Sequence, residues 1–573
     1  MKNIIFIIII IFITIIYFLT LSPGIGFGDS GTMAAAAVSL GIPHPPGFPT
    51  YILLGHLFSR LPWGAILLRL QLLSLLPAIG TVLLTFVIAY KNNKLWPALL
   101  TALLTAFFYG FWSQAGNVES YMITNFFIFG LIWLGLSGAP AGIMGLLLGL
   151  GAGLNPIGVA VVPVLLYLFK LSKKTLVIFL IAGLTAILVY AYLPIRALAH
   201  PFLNWGNPQT ALSFFKYVTG GGLNINSGTV VNGFTGSIWW LVDAWGRFLY
   251  LALTQLTPLV MALSLFGAWQ LWQKERSRFW VWIIILLTNV SLAGIYISGN
   301  RDIWLVTSLV ILIILAGEGL IRLGKTGWVV GIITLAIIIW ISAPKILGRA
   351  KTDIAGQYLT DIYQNLPKNS ILIGGGETFN ALTLYAHEVA KIRPDVTPVD
   401  MTIFYGQEWY RDNIKYQRSN IKITDQNAKF SDDLEFSRVL EEVADLNPDQ
   451  PVFVTGYLLT QPVYANSLRP AYVPQKYQLE QHGLVYRLVK TAPSLIPPPP
   501  PNPPNFPSYL ESNYQKAIDL IRLEYSLAYE IRGDRFLEEG KTEEAFSWYK
   551  RASEASPKYF DQNRLGKKVI KPL

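Results

Sequence analysis

A lone carboxylate, Asp29, sits in Gly28-Asp-Ser-Gly-Thr-Met-Ala-Ala-Ala-Ala37, soon after an apolar run over residues 3–21. An acid beside a bilayer is costly unless it is solvated or at work. The work it could do is proton transfer, as general base towards an incoming hydroxyl. Asp ahead of Ser-Gly-Thr-Met also suits a helix N-cap. The two roles are compatible, because a cap holds the carboxylate in place. Further on, His44 stands in Ile42-Pro-His-Pro-Pro-Gly-Phe-Pro49. Proline rings lock the backbone there. Such a loop presents a donor at low ordering cost, or is a stiff turn with a bystander His.

Other polar residues lie at the same expected membrane face. Glu119, in Phe111-Trp-Ser-Gln-Ala-Gly-Asn-Val-Glu-Ser-Tyr121, reads as a second acidic site residue or as part of an interfacial belt with Trp112 and Tyr121. Arg196 follows Tyr192-Leu-Pro-Ile, and Asn204-Trp-Gly-Asn-Pro208 comes soon after. A snorkelling side chain is the plain reading of Arg196; gripping a phosphate is the functional one. Asn300, Arg301 and Asp302 form a further small polar cluster. Gly374-Gly-Gly-Glu377 has neither the spacing of a dinucleotide loop nor a P-loop lysine, and reads as a turn. No metal-ligating cluster or serine-hydrolase elbow is readable, so neither a metal nor a cofactor is expected.

The elements that must position these residues are membrane helices. The 573 residues are 53% hydrophobic and 14% charged, which is far more apolar than a soluble domain. Spans are expected at 4–21, 65–90, 95–112, 119–137, 140–170, 174–193, 243–272, 278–297, 303–322 and 326–344, about 10–12 crossings in all. The 140–170 run is interrupted by Gly153, Asn155 and Pro156, so it is one kinked span or two short helices. The net charge of +11 sits largely in short clusters between spans: Lys91 and Lys94; Lys170, Lys173 and Lys174; Lys274, Arg276 and Arg278; Arg322 and Lys325. That pattern points to topology rather than to nucleic acid, and places all four clusters in the cytoplasm. The absence of cysteine excludes thiolate catalysis and disulfides.

The fold class expected is a polytopic α-helical membrane protein with a C-terminal extracytoplasmic α/β domain and a short tetratricopeptide-like helical tail. Residues 1–345 form the membrane domain. Residues 346–495 form the α/β domain, with strands at 370–373, 396–399, 451–455 and 484–489. Residues 496–508 make a proline-rich linker. Residues 509–573 carry small residues, Tyr549 and Pro557 in the manner of one tetratricopeptide unit, which must pack on a neighbour because a single repeat cannot bury its own face.

Gly28-Asp-Ser-Gly, Ala34-Ala-Ala-Ala and Leu40-Gly-Ile-Pro-His-Pro-Pro-Gly-Phe-Pro49 together resemble the opening motif of glycosyltransferase family 117, which includes the transmembrane protein 260 type of protein O-mannosyltransferase. The resemblance continues through Phe111-Trp-Ser-Gln…Glu119-Ser-Tyr, Tyr192-Leu-Pro-Ile-Arg…Asn204-Trp-Gly-Asn-Pro, Arg393-Pro-Asp-Val and Gly483-Leu-Val-Tyr-Arg-Leu. Thr32 stands where an acid is common in that family, and Asn155-Pro156 where a His-containing pair is common. The resemblance implies a GT-C-like membrane fold whose first outer loop carries the catalytic acid, here Asp29. It implies a polyprenyl-phosphate-linked sugar as donor.

The function expected is a membrane glycosyltransferase in the plasma membrane. It would move a sugar, mannose by the family's pattern, from lipid phosphate to an acceptor hydroxyl on a protein or glycan, with inversion. Asp29 would be the base; His44, Glu119, Arg196, Asn204, Arg301 and Asp302 would support the donor. The alternatives are a transporter or flippase of lipid-linked sugars, and a membrane-anchored scaffold.

Overall fold

The structure is a computed structural model; it describes residues 2–90, 94–170, 172–220, 239–295, 301–404, 407–418, 420–423, 433–459, 472–491, 499–506 and 512–557. Asn300 lies outside the described residues. The chain divides into two compact units. The first comprises Met1–Pro23, Ala36–Ala199 and Asn207–Lys351; the second comprises Gly24–Ala35, His200–Gly206 and Thr352–Leu573.

The first unit is helical. Among the described residues, five helices are long and apolar enough to cross a bilayer, including Ile66–Ala89, Lys173–Leu198 and Arg276–Ile295. The chain is therefore a multi-pass membrane protein, because helices satisfy every backbone polar group internally. Several expected spans are broken, each for a local reason. The 95–112 run becomes Leu95–Phe107 and Tyr109–Gln114, parted by Phe108 in an extended conformation. The Gly110 N–H freed at that break donates to Gln255 Oε1 at 2.9 Å. The 140–170 run becomes Ala141–Ala152, a 3₁₀ turn Pro156–Val161 and Val162–Phe169. Asn155 makes that break by accepting the Ile157 N–H at 3.1 Å. The spans expected at 303–322 and 326–344 are two helices joined at Gly324, whose φ is 58°.

Small residues let helices cross closely. A Cβ on Gly267 would lie 1.8 Å from the Leu315 carbonyl oxygen, and one on Gly319 would lie 2.6 Å from that of Leu263. At one end of the unit, basic loops converge. Lys94 Nζ donates to the Ile321 carbonyl at 3.5 Å, and Arg278 reaches the Ile88 carbonyl at 3.3 Å and Glu318 at 3.8 Å. Members of two of the four charge clusters, and the segment beside a third, thus share one end.

The first twelve residues of the second unit lead into helix α1, Ser30–Ser39. Its centre is a five-stranded sheet in the order β2-β1-β3-β5-β4. The strands are β1 (Ile371–Gly374), β2 (Thr397–Asp400), β3 (Val452–Thr455), β4 (Gln478–His482) and β5 (Val485–Val489). β1 pairs in parallel with β2 and β3, while β5 runs antiparallel to both β3 and β4. Ile371, Ile373, Val399, Val454 and Tyr486 bury one core cluster of the unit. The Gly374 run is more than a turn: Gly376, at φ 86°, opens helix α2 (Gly376–Tyr385), with Glu377 in its first turn. Helix α3 spans Glu408–Gln417.

Two C-terminal helices, α4 (Ser512–Glu538) and α5 (Thr542–Ala555), pack together, with the Ser526 hydroxyl donating to the Ala552 carbonyl at 2.9 Å. α4 also docks on the rest of the unit through the Tyr358 hydroxyl on Glu524 at 2.8 Å and the Tyr525 hydroxyl on Asp361. The described prolines do not stand free as a spacer. Tyr529 donates to the Pro501 carbonyl at 2.6 Å, and Arg522 lies 4.6 Å from the Phe506 ring.

Burial pushes the Glu524 carboxyl up from an ordinary 4.5 to about 7. Between these values the folded chain holds a proton that the unfolded chain has lost, so stability falls as pH rises through this window and levels off above it. The difference is about 3 kcal/mol, at about 1.4 kcal/mol per pH unit. The unfolding temperature of the detergent-solubilised protein is expected to be higher at pH 5 than at pH 8. Glu524→Gln should flatten that slope; an unaltered slope would remove Glu524 as its source.

Candidate functional site

In the second unit, Asp29 precedes α1, and its carbonyl accepts the Met33 N–H at 2.8 Å. That is the position of an N-cap residue, fixed by the first helical hydrogen bond. Asp29 is half-buried, while Ser30 and the alanines behind it are buried. Gly31 is where α1 meets α2: a Cβ there would lie 2.2 Å from the Ala381 carbonyl oxygen. The small-residue run therefore serves a close helix contact that seats the Asp29 turn. The same contact brings up a residue missed in the sequence. Glu377 Oε1 lies 3.9 Å from where a Cβ on Gly28 would sit. Nothing in the local sequence signals this, because the two residues are far apart along the chain.

Asn204 also belongs to the second unit and is buried at 3% exposure. Its neighbours fasten residues 200–206 to α3. The Phe202 carbonyl accepts from Asn413 at 2.8 Å, and Gln417 donates to the His200 carbonyl. Trp205 faces Trp409, with ring centroids 5.2 Å apart.

In the first unit the His44 loop is held from several sides. The Gly47 N–H donates to the His44 carbonyl at 3.1 Å, and the imidazole meets Phe48 edge-on at 5.2 Å. Tyr192 donates to the Gly41 carbonyl at 2.9 Å, and Tyr217 to that of Pro43. Arg196 donates through Nε to the Leu40 carbonyl at 2.8 Å and through a terminal nitrogen to that of Ser39 at 3.4 Å. The guanidinium thus satisfies carbonyls at the C-terminal end of α1, where a cation is favourable. This is a positioning role that the phosphate reading of Arg196 had not included.

Glu119 is buried in the first unit, close enough to Tyr51 to interact electrostatically. Its carbonyl accepts from Ser74 at 3.1 Å. Around it runs a buried polar seam containing Ser113, Gln114, Asn117, Ser120, Thr124 and Asn125. Asn155 donates to the Ser120 hydroxyl at 3.0 Å, so the break at 153–156 is tied to the residue beside Glu119. Arg349, which the sequence did not single out, donates to the Ser113 carbonyl at 2.8 Å and to Asn117 Oδ1. Asp302 is committed to Arg247 by a bidentate pair at 2.6 and 2.5 Å. Arg301 opens the short helix Arg301–Trp304; its side chain lies outside the described residues.

Residues 29–178 match the family model for the protein O-mannosyl-transferase TMEM260 N-terminal domain. The protein O-mannosyl-transferase TMEM260 of Mus musculus is 24% identical over an alignment of 444 residues that covers 68% of this chain and 62% of the mouse protein. Its counterpart in Dictyostelium discoideum is 23% identical over an alignment of 469 residues that covers 69% of this chain and 56% of that protein. The chain thus matches less than two-thirds of the length of either relative. Among solved structures, ArnT from Cupriavidus metallidurans bound to undecaprenyl phosphate aligns with a TM-score of 0.48 at 15% identity, covering 85% of this chain and 98% of that one. The oligosaccharyltransferase of Archaeoglobus fulgidus, in complex with zinc and sulfate, aligns with a TM-score of 0.47 at 12% identity, covering 79% and 68%. The matched segment contains Asp29, His44, Glu119 and Asn155. The resemblance carried by the Gly28-Asp-Ser-Gly and Pro-His-Pro-Pro-Gly motifs is therefore borne out: this chain is similar to the TMEM260 protein O-mannosyl-transferases, with the family's N-terminal domain matched by residues 29–178.

Proposed function

We propose that this chain is a GT-C type membrane glycosyltransferase that moves a sugar, mannose in the relatives' case by their name, from a polyprenyl-phosphate donor to a Ser or Thr hydroxyl of a protein. Asp29 takes the proton from the acceptor hydroxyl as its oxygen attacks the anomeric carbon. The bond to the lipid phosphate breaks in the same step, so the configuration inverts. The leaving phosphate already carries charge and needs electrostatic stabilisation more than a proton. Arg196 holds the carbonyls that precede the His44 loop. Glu119, Asn204 and Asp302 support the surrounding structure.

One observation carries this reading: residues 29–178 match the O-mannosyl-transferase domain, and within that segment Asp29 is held at the start of α1. A helix start favours a negative charge and fixes its backbone. The convergence of basic loops at one end of the first unit supports a cytoplasmic placement for that end. The test is incubation of purified protein with a labelled polyprenyl-phosphate mannose and a Ser/Thr-containing acceptor protein. Label on the acceptor is the expected result. Label that only crosses between leaflets would indicate a flippase instead.

A further inference from the structure

We propose that the second unit holds a separate binding site for an anionic saccharide, a sugar ring carrying a carboxylate or phosphate group. The site is the cleft between residues 200–206 and α3, whose floor is the carboxyl end of β2. It encloses ≈ 550 Å³, open solvent at its mouth included. In α/β sheets ligand clefts form beyond the carboxyl ends of parallel strands.

Its walls have two kinds of surface. Trp205 and Trp409 present half-buried aromatic faces, tilted by 36° to each other. Such faces suit the apolar side of a sugar ring, with polar groups around the rim. Two of the polar side chains that line it, Arg418 and Asn380, have donors to spare. Arg418 is 9% exposed and lines the cleft, and its guanidinium makes no hydrogen bond among the described residues. It lies 4.7 Å from the Phe202 ring, with the Tyr410 and Tyr363 hydroxyls and Glu388 within electrostatic range. Glu388 is itself engaged by His387 Nδ1 at 2.9 Å. A buried cation without a hydrogen-bonded anion is costly, and a ligand oxyanion would supply the missing partner. The half-buried Asn380 carboxamide also lines the cleft and makes no hydrogen bond among the described residues. The Tyr410 hydroxyl accepts the Asp400 N–H at 2.9 Å, which leaves its proton to donate.

The one acid in the wall, Asp400, has one carboxylate oxygen engaged by its own turn. Its Oδ1 accepts from the Thr402 N–H at 2.9 Å, the Thr402 hydroxyl at 2.6 Å and the Ile403 N–H at 3.3 Å. The plain competing role for Arg418 is a cation–π clamp that pins Phe202. That role uses the ring face and leaves the planar N–H fork without an oxygen.

The test uses the full-length protein in detergent. Calorimetry and saturation-transfer NMR would be run with glucuronic acid and glucose 6-phosphate, with glucose and inorganic phosphate as controls. Both charged sugars are expected to bind at least tenfold more tightly than either control. Arg418→Met should abolish that preference while leaving the unfolding temperature equal or higher, since an uncompensated buried charge is removed. Asn380→Ala, at a half-buried position, should weaken both charged sugars severalfold, and stands in if the first variant fails to fold. Glucose binding as tightly as its phosphate, inorganic phosphate binding as tightly as the sugar phosphate, absence of binding by any probe, or wild-type binding by both variants would each overturn the proposal.

Discussion

Replacing Asp29 by Asn is expected to leave a folded, inserted protein whose sugar transfer falls by about 10²–10⁴-fold, the usual worth of a positioned base. That loss corresponds to about 3–5 kcal/mol of transition-state stabilisation. The variant is informative because Asn caps a helix about as well as Asp. The start of α1 should therefore survive, with the Met33 N–H still bonded to the carbonyl of residue 29. Only the capacity to take a proton is lost. Asp29→Ser provides a second capping residue with the same deficit. Unfolding temperature and transfer rate measured on the same preparations separate the two roles. Transfer by Asp29→Asn within a few-fold of wild type would leave Asp29 as a cap and nothing more.

Gly31→Ala is expected to damage both stability and turnover. The added Cβ would sit 2.2 Å from the Ala381 carbonyl oxygen and 2.7 Å from its carbon, both backbone atoms that no rotamer change can move. α1 or α2 must shift by about an ångström, and overpacking of this kind costs about 1–3 kcal/mol. The shift also moves the turn that carries Asp29. A misplacement of about 1 Å at a reacting group can cost about 100-fold in rate. Gly183→Ala is the control, because nothing lies within 4 Å of a Cβ there. It should preserve both stability and turnover. Equal behaviour of the two variants would show that the α1–α2 contact does not position the site.

Much of this arrangement was legible in the sequence. Its limits are physical. Asp29 was readable because an acid followed by small residues is a local signal, complete within one turn. The membrane helices were readable because apolar runs of that length have few other homes. Their interruptions were not, apart from the Gly153–Pro156 break. Phe108 ends a helix because Gly110 finds a side-chain acceptor in Gln255, and that acceptor is remote in the chain. Arg196 shows the same limit. Its sequence context allowed a phosphate grip, while its Nε donates to the carbonyl of Leu40, contributed by another helix end. The Gly374 run looked like a turn because Gly-rich stretches usually are. It is the start of α2, and it carries Glu377 to the neighbourhood of Gly28 through a contact that only the folded unit creates. Asn155, read in the sequence as an interruption of the apolar run, both caps the turn after the break and holds Ser120, a partner remote in the chain.

The most direct measurement is the anomeric configuration of the sugar after transfer. Purified protein would be given a polyprenyl-phosphate sugar of known configuration and a Ser/Thr acceptor, and the product read by NMR. A single displacement assisted by Asp29 requires the opposite configuration in the product, formed by wild type and all but absent with Asp29→Asn. A product that retains the donor's configuration, or no glycosylated product from the wild-type protein, would contradict it.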